Sequence, residues 1–288
     1  MKKRLTLFLI FTCLLCGLRI FGCDTWIALS NVTRNGVALF AKNSDRLLFS
    51  SQPLELHTRQ NWPDGSHIDL GRISIPQSGT TYATLGSSPY WCWGYEQGIN
   101  EFGVAIGNEG VDTKALMKAL ADARAGKEPP TGPTGMDLLR LGLERGKNAQ
   151  EALTVITNLL EKYGQFGSGM PTMGIEGSYD NSFLISDSRE AWILETAGRR
   201  WAAKRISRGT ASISNTLSID SEYDLASDDL EEYAVESGWW PARKIPFQFA
   251  SAYGNDSPAG QAKILRARIR AHCSMELLEE ETGNITPR

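Results

Sequence analysis

The chain has 288 residues, of which 41% are hydrophobic and 22% are charged, and its formal net charge is −3. These proportions are ordinary for a globular protein and allow a large buried core, which argues against a disordered chain. An acidic balance without a basic stripe also argues against nucleic acid as a partner.

The first 22 residues are interpreted as a leader that precedes the folded domain. Residues 1–4 contain three basic side chains, residues 5–18 are almost continuously apolar, and no acidic residue precedes Asp24. The apolar run is short for a bilayer span and is typical of a secretory signal peptide, with an uncleaved membrane anchor as the alternative. Without the leader the formal charge becomes −7, from 26 basic and 33 acidic residues. The sequence therefore predicts a secreted, periplasmic or lysosome-like protein with one domain over 23–288 and no further membrane span.

Apolar runs separated by turn signals predict that the domain opens with strands, over 24–31, 37–42, 68–75 and 80–85 and on either side of a turn at 100–103. Apolar residues at spacings of three and four then predict helices over 115–125, 136–144 and 149–163. A four-stranded meander is predicted within 182–217, and helices return over 223–235 and 258–281. Because strands and helices come in blocks and do not alternate, the pattern indicates an α+β fold.

Three cysteines remain after leader removal: Cys23, Cys92 and Cys273. This odd, widely spaced set is neither a disulfide framework nor a zinc site, so the sequence predicts no metal and no cofactor. Two interpretations stay open, a free reactive thiol and a single disulfide between Cys92 and Cys273.

The chain has only three histidines, and none lies in a motif that resembles a Ser-His-Asp or Cys-His site. A hydrolase with this sequence would therefore need another base. The α-amino group of a chain can serve, because its ordinary pKa of about 7.7–8.0 is close to physiological pH.

Cys23 follows the small residue Gly22 at the end of the leader, where signal-peptide cleavage is expected. Cleavage there would make Cys23 the first residue, with a free amine beside its thiol. The same stretch, residues 20–23, also resembles a bacterial lipobox, in which Cys23 would carry a lipid anchor. The leader alone does not decide between a nucleophile and an anchor.

Four sequence blocks that follow Cys23 resemble the secernin and C69 dipeptidase family. This family belongs to the N-terminal-nucleophile superfamily, which also contains penicillin V acylases and bile-salt hydrolases. The blocks occur in the family's order: CDTWIAL at 23–29 with AKNSDR at 41–46, WGYEQGINEFGVAIGNE at 93–109, DNSFLI at 180–185 with WILETAG at 192–198, and ISNTLSI at 213–219.

The resemblance implies a four-layer αββα sandwich and a role for five residues. Cys23 would attack the scissile carbonyl, Asp45 would orient its α-amine, and the charge of Lys42 would favour the thiolate. Asn108 and Asn215 would donate side-chain N–H groups to the oxyanion. Each has an ordinary structural alternative, such as a turn residue or a strand-end charge.

The resemblance also implies a cysteine-type dipeptidase that works through an acyl-enzyme on small peptides. The alternatives are an amidase for N-acyl amino acids, a non-catalytic secernin-like protein and a protein anchored through a lipid on Cys23. Family members generally continue beyond the point where this chain ends, so we expect either a C-terminally truncated form or a naturally short one. Apolar surface left uncovered by the truncation would favour a homo-oligomer.

Overall fold

The computed structural model describes residues 22–46, 50–243 and 245–287. The predicted leader, apart from Gly22, lies outside these residues, and its removal stays a prediction. The strands are β1 (Asp24–Ala28), β2 (Leu39–Asn43), β3 (Leu54–His57), β4 (Gln60–Asn61), β5 (His67–Asp69), β6 (Ser74–Pro76), β7 (Thr80–Thr81), β8 (Thr84–Ser87), β9 (Gln97–Asn100), β10 (Ala105–Val111), β11 (Asp180–Ser186), β12 (Ala191–Ala197), β13 (Arg200–Ile206), β14 (Thr210–Ser214) and β15 (Leu225–Ala226). The helices are α1 (Lys114–Arg124), α2 (Gly135–Arg145), α3 (Ala149–Tyr163), α4 (Leu230–Glu236), α5 (Phe249–Tyr253) and α6 (Pro258–Glu280), and a 3-10 segment covers Pro171–Gly177.

Two antiparallel sheets make up the centre of the described chain. The small sheet has the order β14-β1-β2, and the large sheet has the order β15-β13-β12-β11-β10-β9-β8-β3. Two separate ribbons, β4 with β7 and β5 with β6, lie outside these sheets.

Alternating residues of the large sheet pack against different layers. On β11, Phe183 lies in a core with Leu139 of α2, whereas the adjacent Leu184 lies in a core with Ile27 and Ile213 of the small sheet. This is the period of two expected for a strand that is buried on both faces. Helix α6 packs on β14 of the small sheet. The layers therefore run α2 and α3, large sheet, small sheet, α6, which confirms the predicted α+β fold with αββα order.

The main helices begin at polar residues that bind their free N–H groups. Thr134 and Asp137 form a reciprocal capping box at the start of α2, and the side chain of Asn148 accepts a hydrogen bond from Glu151 N in α3. Helix α6 begins after Ser257, which accepts from Gly260 N. These caps place the helix starts within two residues of the predicted positions.

Four features of the structure differ from the expectations. The fourth strand of the meander is β14, which pairs with β1 of the small sheet and not with β13. The helix predicted over 223–235 begins only at Leu230, and strand β3 was not predicted. The disulfide between Cys92 and Cys273 is not formed, since both thiols are free. Among the helices described, none combines the length and the hydropathy of a membrane span.

Candidate active site

The antiparallel pairing of the small sheet brings three predicted site residues to one edge. Asp24, the first residue of β1, pairs with Ser214 at the end of β14 and with Asn43 at the end of β2. Cys23, which precedes Asp24, must therefore lie close to the residues that follow Ser214 and Asn43. At this edge Cys23 contacts both Asp45 and Asn215.

The thiol of Cys23 is half-buried against the backbone of Asp45. Asp45 N donates to Cys23 Sγ over 3.3 Å, and Sγ lies 3.8 Å from Asp45 O. Burial raises the pKa of the Cys23 thiol above its ordinary value, while the ammonium of Lys42 opposes this rise. The carboxylate of Glu109 raises the same pKa, and the N–H of Asp45 lowers it by binding the thiolate.

The carboxylate of Asp45 contacts the backbone just ahead of Cys23. Its Oδ2 accepts a hydrogen bond from Gly22 N over 3.0 Å, and Asn43 Nδ2 donates to Gly22 O over 3.1 Å. The predicted bond between Asp45 and the α-amine of Cys23 concerns a chain that begins at Cys23, so this role stays a prediction.

Asn215 holds the backbone nitrogen of Cys23. Its Oδ1 accepts from Cys23 N over 2.9 Å, and its Nδ2 donates to Gly110 O over 3.0 Å. The nitrogen that would become the α-amine is thus fixed by the acceptor end of this amide. The predicted role of Asn215 as an oxyanion donor uses the opposite end, and it stays a prediction.

Lys42 reaches from the small sheet to the large one. Its Nζ donates to Asn108 O over 2.6 Å and lies 3.0 and 3.1 Å from the two carboxylate oxygens of Glu109. Thr25, opposite Lys42 in the sheet, donates to the same carboxylate over 2.5 Å. The positive charge predicted near Cys23 is therefore present, but it is paired with Glu109, a residue that the sequence analysis did not single out.

The side chain of Asn108 forms its hydrogen bond with Asn181, on the neighbouring strand β11. It points towards the helices, on the same face of β10 as Ile106. Its Nδ2 donates to Asn181 Oδ1 over 2.8 Å, and its own Oδ1 is buried without a hydrogen-bond partner among the described residues. Strand alternation places this side chain on the face of β10 that lies away from the small sheet, and its predicted role as an oxyanion donor stays a prediction. Among the described residues, the carbonyl of Asn108 contacts the site by accepting a hydrogen bond from Lys42.

Arg270 of α6 is a site residue that sequence reasoning missed. Its Nε lies 3.2 and 3.1 Å from the carboxylate oxygens of Asp24, and its Nη2 donates to Ser214 Oγ over 2.7 Å and to Asn215 Oδ1 over 2.8 Å. A guanidinium has the planar array of donors that such a set of acceptors needs. No local motif around Arg270 indicates this contact, which depends on how α6 packs.

Two further charged residues shape the surroundings of Cys23. Arg46 forms an ion pair with Glu96, donates to Gly169 O over 2.7 Å, and places its guanidinium 5.9 Å from the ring centre of Trp91. The charge of Arg46 makes a smaller contribution to lowering the pKa of Cys23.

The buried carboxylate of Glu195 anchors the segment that follows Asn215. It accepts from Ser218 N over 2.7 and 2.8 Å, from Ser218 Oγ over 2.6 Å and from Ile219 N over 2.9 Å. This carboxylate ties the end of β14 to β12, and so links Asn215 to the large sheet.

Comparison with known proteins places the chain in a family. The model of peptidase family C69 matches residues 22–268. A dipeptidase of Bifidobacterium longum (strain NCC 2705) is 27% identical in an alignment of 275 residues that covers 82% of this chain and 47% of that protein. The chain thus spans about half the length of this curated relative.

Solved structures with partial similarity include two hydrolases. Penicillin V acylase from Agrobacterium tumefaciens is 18% identical with a TM-score of 0.40, over 64% of this chain and 50% of that chain. A mutant of conjugated bile acid hydrolase from Clostridium perfringens is 15% identical with a TM-score of 0.46, over 91% and 75% of the two chains. Because the family model covers most of the chain, including Cys23, Lys42, Asp45, Asn108 and Asn215, the protein belongs to peptidase family C69.

Proposed function

We propose that the protein is a cysteine-type dipeptidase in which Cys23, freed by removal of the leader, is the nucleophile. Membership of peptidase family C69 supports the reaction class. The observation that carries the proposal is the position of Cys23. Its sulfur accepts the N–H of Asp45, and its nitrogen is held by Asn215.

Leader removal would change the groups that surround the nitrogen of Cys23. The new α-amine would lie beside Asn215 Oδ1, and Asp45 Oδ2 would lose its present donor, Gly22 N. Both acceptors would then be available to the amine. In its neutral form the amine is a base within reach of its own thiol. The mechanism needs such a base because none of the three histidines lies in a suitable motif.

The proposed reaction has two steps. The α-amine takes the proton of the Cys23 thiol as the sulfur attacks the scissile carbonyl carbon. The amine then gives this proton to the leaving nitrogen as the C–N bond breaks, which releases one amino acid and leaves a thioester on Cys23. Water, losing a proton to the same amine, attacks the thioester, and the second amino acid departs as the thiol reforms. Hydrogen-bond donors near the carbonyl oxygen stabilise its developing charge in both steps.

The proposal extends to the form and location of the protein. Removal of residues 1–22 would accompany export, since the leader has the pattern of a signal peptide. A lipid on Cys23 would block the sulfur and is incompatible with the mechanism above.

The direct test uses a chain that begins at Cys23, assayed against a panel of dipeptides by mass spectrometry of the released amino acids. We expect hydrolysis by the parent chain and none by Cys23→Ala. A matched chain that keeps Gly22 should also be inactive, because its nitrogen is an amide without basicity. Full activity in a folded Cys23→Ala protein would contradict the proposal.

The same panel separates the alternative functions. Hydrolysis of N-acyl amino acids without hydrolysis of dipeptides would favour an amidase. A folded protein that begins at Cys23 and hydrolyses neither class would favour a non-catalytic role.

A further inference from the structure

We propose that Glu109 is a positioning residue for the nucleophile: it holds the ammonium of Lys42 and, through that charge, sets how readily the Cys23 thiol reacts. This inference rests on the proposed function, since it assigns Glu109 to the same site. Neither the sequence blocks nor the family model assigns a role to this carboxylate.

The hydrogen-bonding capacity of Lys42 is fully used by β10. An ammonium has three N–H donors, and three acceptors surround Nζ: Asn108 O at 2.6 Å and the two oxygens of Glu109 at 3.0 and 3.1 Å. None of the hydrogen bonds that Lys42 makes within the described part of the chain goes to the sulfur of Cys23. Lys42 therefore acts on the thiol through its charge and not through a hydrogen bond.

The pair is shielded from water between the two sheets. The side chains of Lys42 and Glu109 are both 0% exposed. Because water is excluded, the charges of Lys42 and Glu109 act strongly on each other and on the nearby thiol. Thr25 supplies a further donor to Glu109 from the small sheet.

A glycine provides the space for this contact between the sheets. A Cβ at Gly107 would lie 3.0 Å from Thr25 Oγ1 and 3.1 Å from Lys42 Cδ. These distances are shorter than ordinary contacts, so a larger residue at Gly107 would push both side chains. The absence of a side chain there lets Lys42 and Thr25 reach Glu109.

The two members of the pair have opposite effects on Cys23. The charge of Lys42 lowers the pKa of the thiol and the charge of Glu109 raises it. The thiol therefore responds to the difference between two charges that lie in contact. If Glu109 becomes neutral, the charge of Lys42 is unopposed and the thiolate is favoured.

Two other carboxylates act on the pair, and each is itself ion-paired with an arginine. Glu96 Oε2 lies 3.9 Å from Lys42 Nζ, but Glu96 is ion-paired with Arg46. Burial raises the pKa of Glu109, while Lys42 opposes that rise. Asp24 also raises the pKa of Glu109, and Arg270 binds the carboxylate of Asp24.

The test measures the reactivity of Cys23 in the chain that begins at this residue. The rate of alkylation by iodoacetamide is followed against pH and quantified on the peptide that carries Cys23, so that Cys92 and Cys273 do not contribute. For Glu109→Gln we expect the pKa of Cys23 to fall by about one unit, so that alkylation below the parent's inflection is about tenfold faster. Asp180→Asn, which changes a buried carboxyl that binds Thr113 and Gly198, is the matched control and should leave the profile unchanged.

The same substitution, made in a Lys42→Met protein, tests whether Glu109 acts through Lys42. In Lys42→Met the buried Glu109 loses its counter-charge, which favours its neutral form, so we expect Glu109→Gln to produce a smaller fall in the pKa of Cys23 than in the parent. An equal fall in both proteins would show that the effect of Glu109 does not depend on Lys42, which overturns the proposal. An unchanged profile in folded Glu109→Gln would overturn it as well.

If Glu109→Gln does not fold, Thr25→Val is a milder variant. It removes one donor from the carboxylate and so favours its neutral form, and we expect a smaller fall in the same direction. An unchanged profile in folded Thr25→Val would then count against the proposal. Alkylation needs no turnover, so a shifted profile in a protein that hydrolyses no peptide would reject the proposed dipeptidase and retain the role of Glu109.

Discussion

Arg270 donates a hydrogen bond of 2.8 Å to Asn215, although 55 positions separate the two residues in the chain. The acceptor, Asn215 Oδ1, is the atom that also binds Cys23 N over 2.9 Å. Helix α6 thus orients the amide that holds the nucleophilic residue. Arg270 lies just beyond residue 268, where the match to the family model ends, so the site extends past the matched segment.

Loss of Arg270 should lower activity more than stability. In Arg270→Met, Asn215 loses one of the donors that fix its amide, and misplacement of a reacting group typically costs up to about 100-fold in rate. We expect kcat/KM on a dipeptide to fall by about tenfold to 100-fold, with partial recovery in Arg270→Lys, which keeps the charge but lacks the planar fork.

Arg268→Met is the control for this experiment, because Arg268 is exposed on the same helix. It should keep the activity of the parent. Equal losses in the two variants would mean that the helix, and not the contact with Asn215, is responsible.

Two substitutions at Asn215 separate its acceptor from its donor. Asn215→Asp keeps an oxygen for Cys23 N and Arg270 but removes the N–H groups, whereas Asn215→Ala removes both. If the amide also stabilises the oxyanion, kcat should fall by about 10²–10³-fold in both variants. Steady-state kinetics on a dipeptide checks this, and an aspartate variant that keeps most of the activity would show that only the acceptor is needed.

The stability of the protein should depend on pH through Asp180. Burial raises the pKa of this carboxyl to about 7, from an ordinary value of 3.8, although it accepts hydrogen bonds from Thr113 and Gly198. Between these two values the folded chain binds the proton more tightly than the unfolded chain does. The free energy of unfolding should therefore fall as pH rises through this window, by up to about 1.4 kcal/mol per unit.

Asp180→Asn removes this contribution. We expect thermal melts of the variant to depend less on pH between 4 and 7, and its Tm to exceed that of the parent above pH 7. Glu109 and Glu195 have raised pKa values for the same reason, so the informative quantity is the difference between variant and parent. Melting curves that stay parallel across the range would show that Asp180 does not carry the effect.

The absence of a side chain at Gly135, at the start of α2, leaves room for a buried row of hydrogen-bonded amides. A Cβ at Gly135 would overlap the side chain of Asn181, which connects Asn108 to Gln165. Gly135→Ala should therefore destabilise the protein by about 1–3 kcal/mol, as overpacking does elsewhere. Urea denaturation measures this change, and Gly79→Ala, where a Cβ meets no described atom within 4 Å, should be close to neutral.

The sequence by itself determined the elements whose signals are local. The helices over Lys114–Arg124, Gly135–Arg145, Ala149–Tyr163 and Pro258–Glu280 follow from apolar spacing and caps. The turn that contains Gly103, with φ +80, lies between the two strands predicted around it. The α+β class and the place of Cys23 at the start of a strand also followed from residues close in the chain.

Only the tertiary structure decided which elements meet. Strand β14 has the pattern of a fourth meander strand but pairs with β1. Which strand it pairs with depends on packing between residues almost 190 positions apart, so the pairing leaves no local signal in the sequence. For the same reason, no local pattern in the sequence predicts the contact of Arg270 with Asn215 or that of Lys42 with Glu109. Strand alternation turns the side chain of Asn108 towards the helices, since one position along a strand decides which layer a side chain enters.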